Sequence, residues 1–313
     1  MNYFLLDAVT GELRTARPLD KEAVDNKNGT IVLTIKACEL IDGKKGNDAS
    51  TTSITEATVK IIDVNDEAPS FDKREYFVEI PENIKEGESI PGLAITVTDS
   101  DEENNSVFSL ELEDSLGLFS IQPRQGVGST KAQIKVINGS LDYENPNQRK
   151  FVLYAIAREI LTEEKLSSTA TITVKITDIN DHSPTFNQHE YASIIPETGS
   201  PGTLVTTITA NDRDSGHFGT DGIIYHLEGP GAEKFSVNNR TGTVTVAECT
   251  SPGEKPCLDF ETKPVYDLQF VATDDNGKGR STSVPLRISL TDSNDNAPIF
   301  TKPFYQVFIN EGQ

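Results

Sequence analysis

Tryptophan is absent from this 313-residue chain, methionine occurs once, and there are three cysteines. Three cysteines are too few for a disulfide scaffold to stand in for a hydrophobic core. No window approaches the roughly 18 consecutive apolar residues of a membrane-spanning helix. The opening Met1-Asn2-Tyr3-Phe4-Leu5-Leu6-Asp7 lacks the basic start of a secretory signal. Positive charge is also scarce: 28 Lys and Arg face 49 Asp and Glu, for a formal charge of −21. Such a field repels phosphate backbones and anionic lipid, which excludes nucleic acid and a membrane surface as partners of this segment.

What remains is the composition of a folded protein, 35% hydrophobic with 22 Gly and 16 Pro. It is long enough for roughly two to three domains. The excess carboxylates either solubilise the surface or gather into sites for a hard cation, and their positions decide which. Asp63-Val64-Asn65-Asp66-Glu67-Ala68-Pro69, Asp178-Ile179-Asn180-Asp181-His182-Ser183-Pro184 and Asp292-Ser293-Asn294-Asp295-Asn296-Ala297-Pro298 recur at steps of 115 and 114. Pro81-Glu82-Asn83 and Pro196-Glu197-Thr198 keep the 115 step, and Leu19-Asp20-Lys21-Glu22, Leu141-Asp142-Tyr143-Glu144 and Leu258-Asp259-Phe260-Glu261 recur in the same order. A fixed period identifies the architectural unit. It predicts the tail of a truncated repeat over 1–68, complete repeats over 70–183 and 185–297, and the first-strand stub of another over 299–313. The first repeat, without its opening strands, is expected to have a poor core.

Within a repeat the hydrophobic period is two: Ile172, Val174 and Ile176 alternate with Thr171, Thr173 and Lys175. This is the pattern of half-buried strands. Pro285 predicts an edge position, because proline brings no N–H to a ladder. About seven short strands separated by Gly, Asn and Pro clusters predict an all-β chain of tandem Greek-key β-sandwiches.

Acidic residues concentrate where repeats meet. In extended chain Asp142 and Glu144 point the same way while Tyr143 faces the other. Glu82 is expected near the start of its repeat's first strand, Asp212-Arg213-Asp214 at the end of a strand, and Asp274 on a neighbouring loop. These motifs resemble the extracellular repeats of cadherins over essentially the whole chain, in the manner of the long, non-classical, protocadherin-like members. The absence of Trp removes any basis for the tryptophan-swap contact of classical cadherins.

The resemblance implies three Ca2+ at the 178–184 junction, held by the carboxylates of Glu82, Asp142, Glu144, Asp178, Asp181, Asp212, Asp214 and Asp274. Asn180 would add a side-chain oxygen, and Ile179, His182 and Asp221 backbone carbonyls. These make about twenty oxygens, against roughly 18–24 for three calcium ions. At 63–69 up to three ions are implied, on Asp20, Glu22, Asp63, Asn65, Asp66, Asp99 and Asp101, with Val64, Glu67 and Asn104 as carbonyl donors. There Glu159 replaces the acid seen at Asp274. At 292–298 a partial site is implied on Glu197, Asp259, Glu261, Asp292 and Asp295.

The implied function is a calcium-dependent adhesion ectodomain on the extracellular side of the plasma membrane. Its partners would be other cadherin ectodomains, the same or different, and its parent would be anchored in the membrane. A mechanical tether or a ligand or toxin receptor has the same repeats. A secreted calcium-dependent hydrolase is disfavoured because catalysis rarely needs several copies of one carboxylate pair. An EF-hand is excluded by the missing helices and central Gly, and the four histidines show no zinc spacing with cysteine.

Cys249 and Cys257 flank a Pro252-Gly253 turn able to bring them together, and the extracellular reading favours a disulfide over two free thiols. Cys38 is expected as a buried apolar residue. Sequons at Asn28, Asn104, Asn138 and Asn239 agree with a glycoprotein. That at Asn104 would be unused if Asn104 serves the connector.

Overall fold

The computed structural model describes residues 3–22, 29–45, 50–248 and 257–312. The chain divides into two compact units between Thr177 and Asp178. Among the described residues the helical elements are short 3-10 turns, and everything else regular is strand.

In the first unit the alternating run of Ser167–Thr177 buries Ala170, Ile172, Val174 and Ile176. It pairs antiparallel with Lys150–Glu159 and parallel with Glu75–Pro81. Val107–Glu113 and Gln125–Val127 complete this five-stranded sheet. Facing it, Phe119–Gln122, Ser129–Val136, Ile95–Thr98 and Ser70–Phe71 form a four-stranded sheet. Each strand turns its apolar alternates inward, as two stacked sheets require. The shared core includes Ile80, Val97, Phe108, Ile134, Leu153 and Ile172. Gly126 is required by that packing: a Cβ there would lie 2.5 Å from the Phe108 ring.

The second unit repeats the plan. Tyr191–Pro196, Ser281–Thr291, Val265–Thr273 and Ile224–Glu228 form one sheet, and Leu204–Thr207, Thr243–Val246 and Phe235–Val237 another. Phe270, Leu258, Ile288 and Ile208 lie at its centre. These are Greek-key β-sandwiches, as the hydrophobic period predicts.

Three local expectations are corrected. Ser281–Thr291 is an internal strand and not an edge, but its parallel pairing begins only at Leu286, so Pro285 interrupts no bond on that side. Cys38 is free, and it is half-buried rather than buried: among the described residues its strand Thr30–Cys38 pairs with Thr52–Lys60 alone, in a two-stranded sheet. Glu82 follows the end of strand Glu75–Pro81, not its start, and Glu197 follows Tyr191–Pro196 in the same way. Among the described residues before Tyr76, Pro69 is the one apolar side chain that is buried. Cys257 is disulfide-bonded, and Cys249 lies outside the described residues, as does Asn28.

Candidate metal centres

Both connectors fold around the same hydrogen-bond scheme. In the first unit Asn65 donates its amide to Glu159 Oε2 at 3.0 Å; in the second, Asn180 donates to Asp274 Oδ1 at 2.6 Å. The acceptor acid is fully buried in each case. Glu159 also accepts from Thr162 Oγ1 at 2.5 Å and Leu166 N at 3.1 Å, and Asp274 from Arg280 N at 2.7 Å. Gly279 permits the second arrangement, since a Cβ at that position would overlap Asp274 Oδ1. The scheme leaves Asn65 Oδ1, Asn180 Oδ1, Glu159 Oε1 and Asp274 Oδ2 buried without a hydrogen-bond donor. Such oxygens are expensive to bury unless something positive meets them.

The first cluster is assembled entirely within the first unit. Glu22, Asp63 and Asp101 each bring a carboxylate oxygen within 4.8 Å of the others. Asp99 and Asp101 are 3% and 5% exposed, and Asp99 Oδ2 and both Asp101 oxygens have no donor. Burial, together with the neighbouring acids Glu159, Asp63 and Glu67, pushes the Asp99 carboxyl up to about 6 against one backbone hydrogen bond. Burial and then the Asp99 charge push Asp101 up to about 7, against the approach of the Glu67 backbone N–H. Asp63 goes the other way. Burial would raise it, but N–H donation from Glu102 at 3.0 Å and Asn105 Nδ2 at 2.9 Å holds it below the ordinary carboxylate range. Asp20, Val64, Asp66, Glu67 and Asn104 are exposed. The Asn104 carbonyl accepts from Val107 N within a 3-10 turn, while the neighbouring Asn105 reaches Asp63.

The residues expected at 178–184 fall in both units. In the first, Glu82, Asp142 and Glu144 bring oxygens within 4.8 Å of one another. Asp142-Tyr143-Glu144 is a turn and not extended chain; Glu144 N bonds Asp142 Oδ1 at 3.1 Å, and both carboxylates still converge on Glu82. Buried Glu82 accepts from Tyr143 N at 2.6 Å.

In the second unit Asp178 Oδ2 accepts from Ser215 N at 2.7 Å and Ser215 Oγ at 2.5 Å, while Asp178 Oδ1 and Asp212 Oδ2 are buried without donors. The His182 ring lies 2.6 Å from Asp181 and 2.8 Å from Asp214. Burial disfavours the imidazolium, but these two carboxylates outweigh it and raise its pKa. Burial also raises Asp214. Arg280 Nη1 donates to the Asp181 carbonyl at 2.7 Å, and Arg240 approaches that of Asp221 at 3.4 Å. Ile179 lies half-buried in the connector.

The third set repeats part of the second. Fully buried Glu197 accepts from Phe260 N and Ser293 N, each at 2.7 Å, and shares a 4.8 Å cluster with Asp259 and Glu261. Asp292 and Asp295 are exposed. Asn105, Glu102, Ser215 and Arg280 were not foreseen. They lie on loops whose return to the connector has no local signature beyond a position after the Asp-x-Asp turns or beside Asp274.

Tandem β-sandwiches whose connectors carry buried, donor-poor carboxylates define a class of oxygen-rich modular repeat chains. Comparison with known proteins gives the class its name. The cadherin domain model matches residues 76–177 and 191–291, and the chain belongs to the cadherin family. It is 38% identical to Cadherin-87A of Drosophila melanogaster over 99% of this chain and 20% of that protein. It is 34% identical to human Cadherin-related family member 2 over 96% of this chain and 23% of the relative. The chain thus spans about a fifth of the length of these relatives. The structure of mouse clustered PcdhgC3 EC1-3 superposes with a TM-score of 0.71 at 24% identity, covering 93% of this chain and 86% of that one, and shares the fold. Cadherin domains are non-enzymatic adhesion modules, and no helix of the described residues is long and apolar enough to cross a membrane.

Proposed function

We propose that the acidic clusters hold Ca2+ and that calcium binding rigidifies the repeat array, as part of a cell-surface adhesion ectodomain. The observation that carries this reading is the set of buried oxygens without donors on Asn65, Asp99, Asp101 and Glu159. Carboxylates with an amide oxygen suit a hard cation of 6–8 oxygen ligands, and among the described residues no thiolate or imidazole-rich set favours a softer metal. In the first cluster Glu22, Asp63, Asn65, Asp99, Asp101 and Glu159 would hold the ion, with Asp20 and Asp66 at the rim. The ligand set expected at 178–184 has enough oxygens for three ions, and that at 292–298 would be partial.

Bound calcium supplies positive charge where the protein has gathered negative charge. Ligand that binds the ordered arrangement alone stabilises it by mass action. Sites of this kind bind at about 10⁻⁴ to 10⁻³ M, so they fill outside cells and empty inside them. The parent protein would stand on the extracellular side of the plasma membrane and contact other cadherin ectodomains, identical or different. Small-angle scattering of the chain in calcium and in EDTA tests the mechanism: stiffening with calcium is expected, and superimposable curves would reject it. Bead aggregation with the ectodomain tests adhesion, and its absence with retained stiffening would favour a tether.

A further inference from the structure

The third residue of the Leu-Asp-x-Glu motif is Lys21, Tyr143 or Phe260. Tyr143 and Phe260 pack against the hydrophobic clusters of their own units. Lys21 instead sends its side chain, 8% exposed, into the first acidic cluster, where Nζ lies 3.4 Å from Asp63 Oδ1 and 2.5 Å from Glu102 Oε2. Glu102 is a second departure between the repeats. It follows Asp99-Ser100-Asp101 at the position where Ser215 follows Asp212-Arg213-Asp214. Each residue caps the first aspartate of its connector through the backbone: Glu102 N to Asp63 Oδ2 at 3.0 Å, Ser215 N to Asp178 Oδ2 at 2.7 Å. The remaining carboxylate oxygen separates the two cases. Asp178 Oδ1 is buried with no donor, whereas Asp63 Oδ1 takes the lysine. The two departures are chemically paired, since the lysine brings a positive charge and the glutamate anchors it.

We infer that the Lys21 ammonium is a built-in cation of the first cluster that competes with calcium for Asp63 Oδ1. This cluster then binds calcium more weakly than its ligand count implies, and its fold loses less stability when calcium is removed. The inference rests on the calcium reading above. A tethered ammonium is present at high effective concentration, yet it carries a single charge and donates few hydrogen bonds. It leaves Asp99 Oδ2 and both Asp101 oxygens unmet, so it lowers the demand for calcium without abolishing it. A calcium ion using Asp63 Oδ1 must either displace Lys21 from a buried position or bind beside its positive charge. Both work against affinity.

The test is a calcium isotherm of the full chain by equilibrium dialysis, for wild type, Lys21→Met, Lys21→Gln and Lys21→Arg. Methionine keeps the aliphatic stem without the charge, glutamine guards against a packing artefact of methionine, and arginine keeps the charge. The two neutral variants should bind the weakest ions roughly tenfold tighter or more, and should melt at a lower temperature than wild type in EDTA. Arginine should follow wild type. Isotherms of the neutral variants that superimpose on wild type would overturn the inference while leaving the calcium reading intact. Equal tightening by arginine and methionine would overturn it too, by assigning the effect to the stem. A wild-type chain that binds no calcium would overturn both readings.

Discussion

Asp101 and Asp214 occupy equivalent turns in successive repeats and are both buried, yet they are treated differently. The Glu67 N–H approaches Asp101 too loosely to satisfy either of its oxygens, whereas Asp214 receives the His182 N–H at 3.2 Å and its ring at 2.8 Å. The difference follows from one connector position, Glu67 in the first strip and His182 in the second. One fold therefore holds two aspartates at equivalent turns, one met by an imidazole and the other out of reach of the Lys21 ammonium that serves its neighbour Asp63. Conserving the backbone scheme does not conserve the electrostatic state.

The largest expected effect is removal of calcium. At about 2 mM calcium each bound ion should contribute on the order of 1–2 kcal/mol, so EDTA should lower the melting temperature of the whole chain, measured by calorimetry. An unchanged melting curve would contradict the proposed function.

Next, Asp101→Asn should stabilise the EDTA form by on the order of 2 kcal/mol, because it removes a charge that burial and Asp99 oppose. Asp214→Asn should change it by less than about 1 kcal/mol, since His182 already offsets that charge. In calcium both substitutions should destabilise. Equal effects in EDTA would erase the comparison.

The pH dependence sharpens it. Without calcium, Asp99 and Asp101 hold protons in the folded state up to about 6 and about 7, against a reference of 3.8. The folded state therefore binds more protons than the unfolded state between these values. Stability from this pair is fully present below the reference and is lost as pH rises through the folded values. Denaturant titrations in EDTA should show wild type gaining on an Asp99→Asn/Asp101→Asn chain as pH falls from 7 to 4, and parallel curves would count against it. The raised His182 pKa has the same sign, with stability lost as pH rises through the folded value. The smallest effect is expected at Glu164, which touches Asn65 only at 3.5 Å from an exposed position. Glu164→Gln should stay within about 0.5 kcal/mol in either buffer.

Much of the fold was legible because its signals are local. Alternation at Ile172, Val174 and Ile176 marks one face of a strand, and the burial of all three follows from the second sheet. Asp63, Asp99, Asp101 and Glu159 could likewise be proposed as a group, because the repeat aligned each with a counterpart. Asn105, Glu102, Ser215 and Arg280 could not. Their bonds to Asp63, Asp178 and the Asp181 carbonyl span 37 residues or more in sequence, through loops that lack a repeated motif. Pro285 misled for a related reason: the proline rule concerns individual N–H groups, and a strand can be internal to a sheet yet unpaired on one side at one residue.

The sequence by itself determined the repeat, its strand pattern and the kinds of oxygen gathered at each connector, because period and residue chemistry are written along the chain. Only the tertiary structure decided which of those oxygens meets a donor. Whether Asp63 faces an ammonium and Asp178 a serine depends on which side chains from distant loops arrive at the same few ångströms. Charge in a buried site is governed by those neighbours and by the water they exclude.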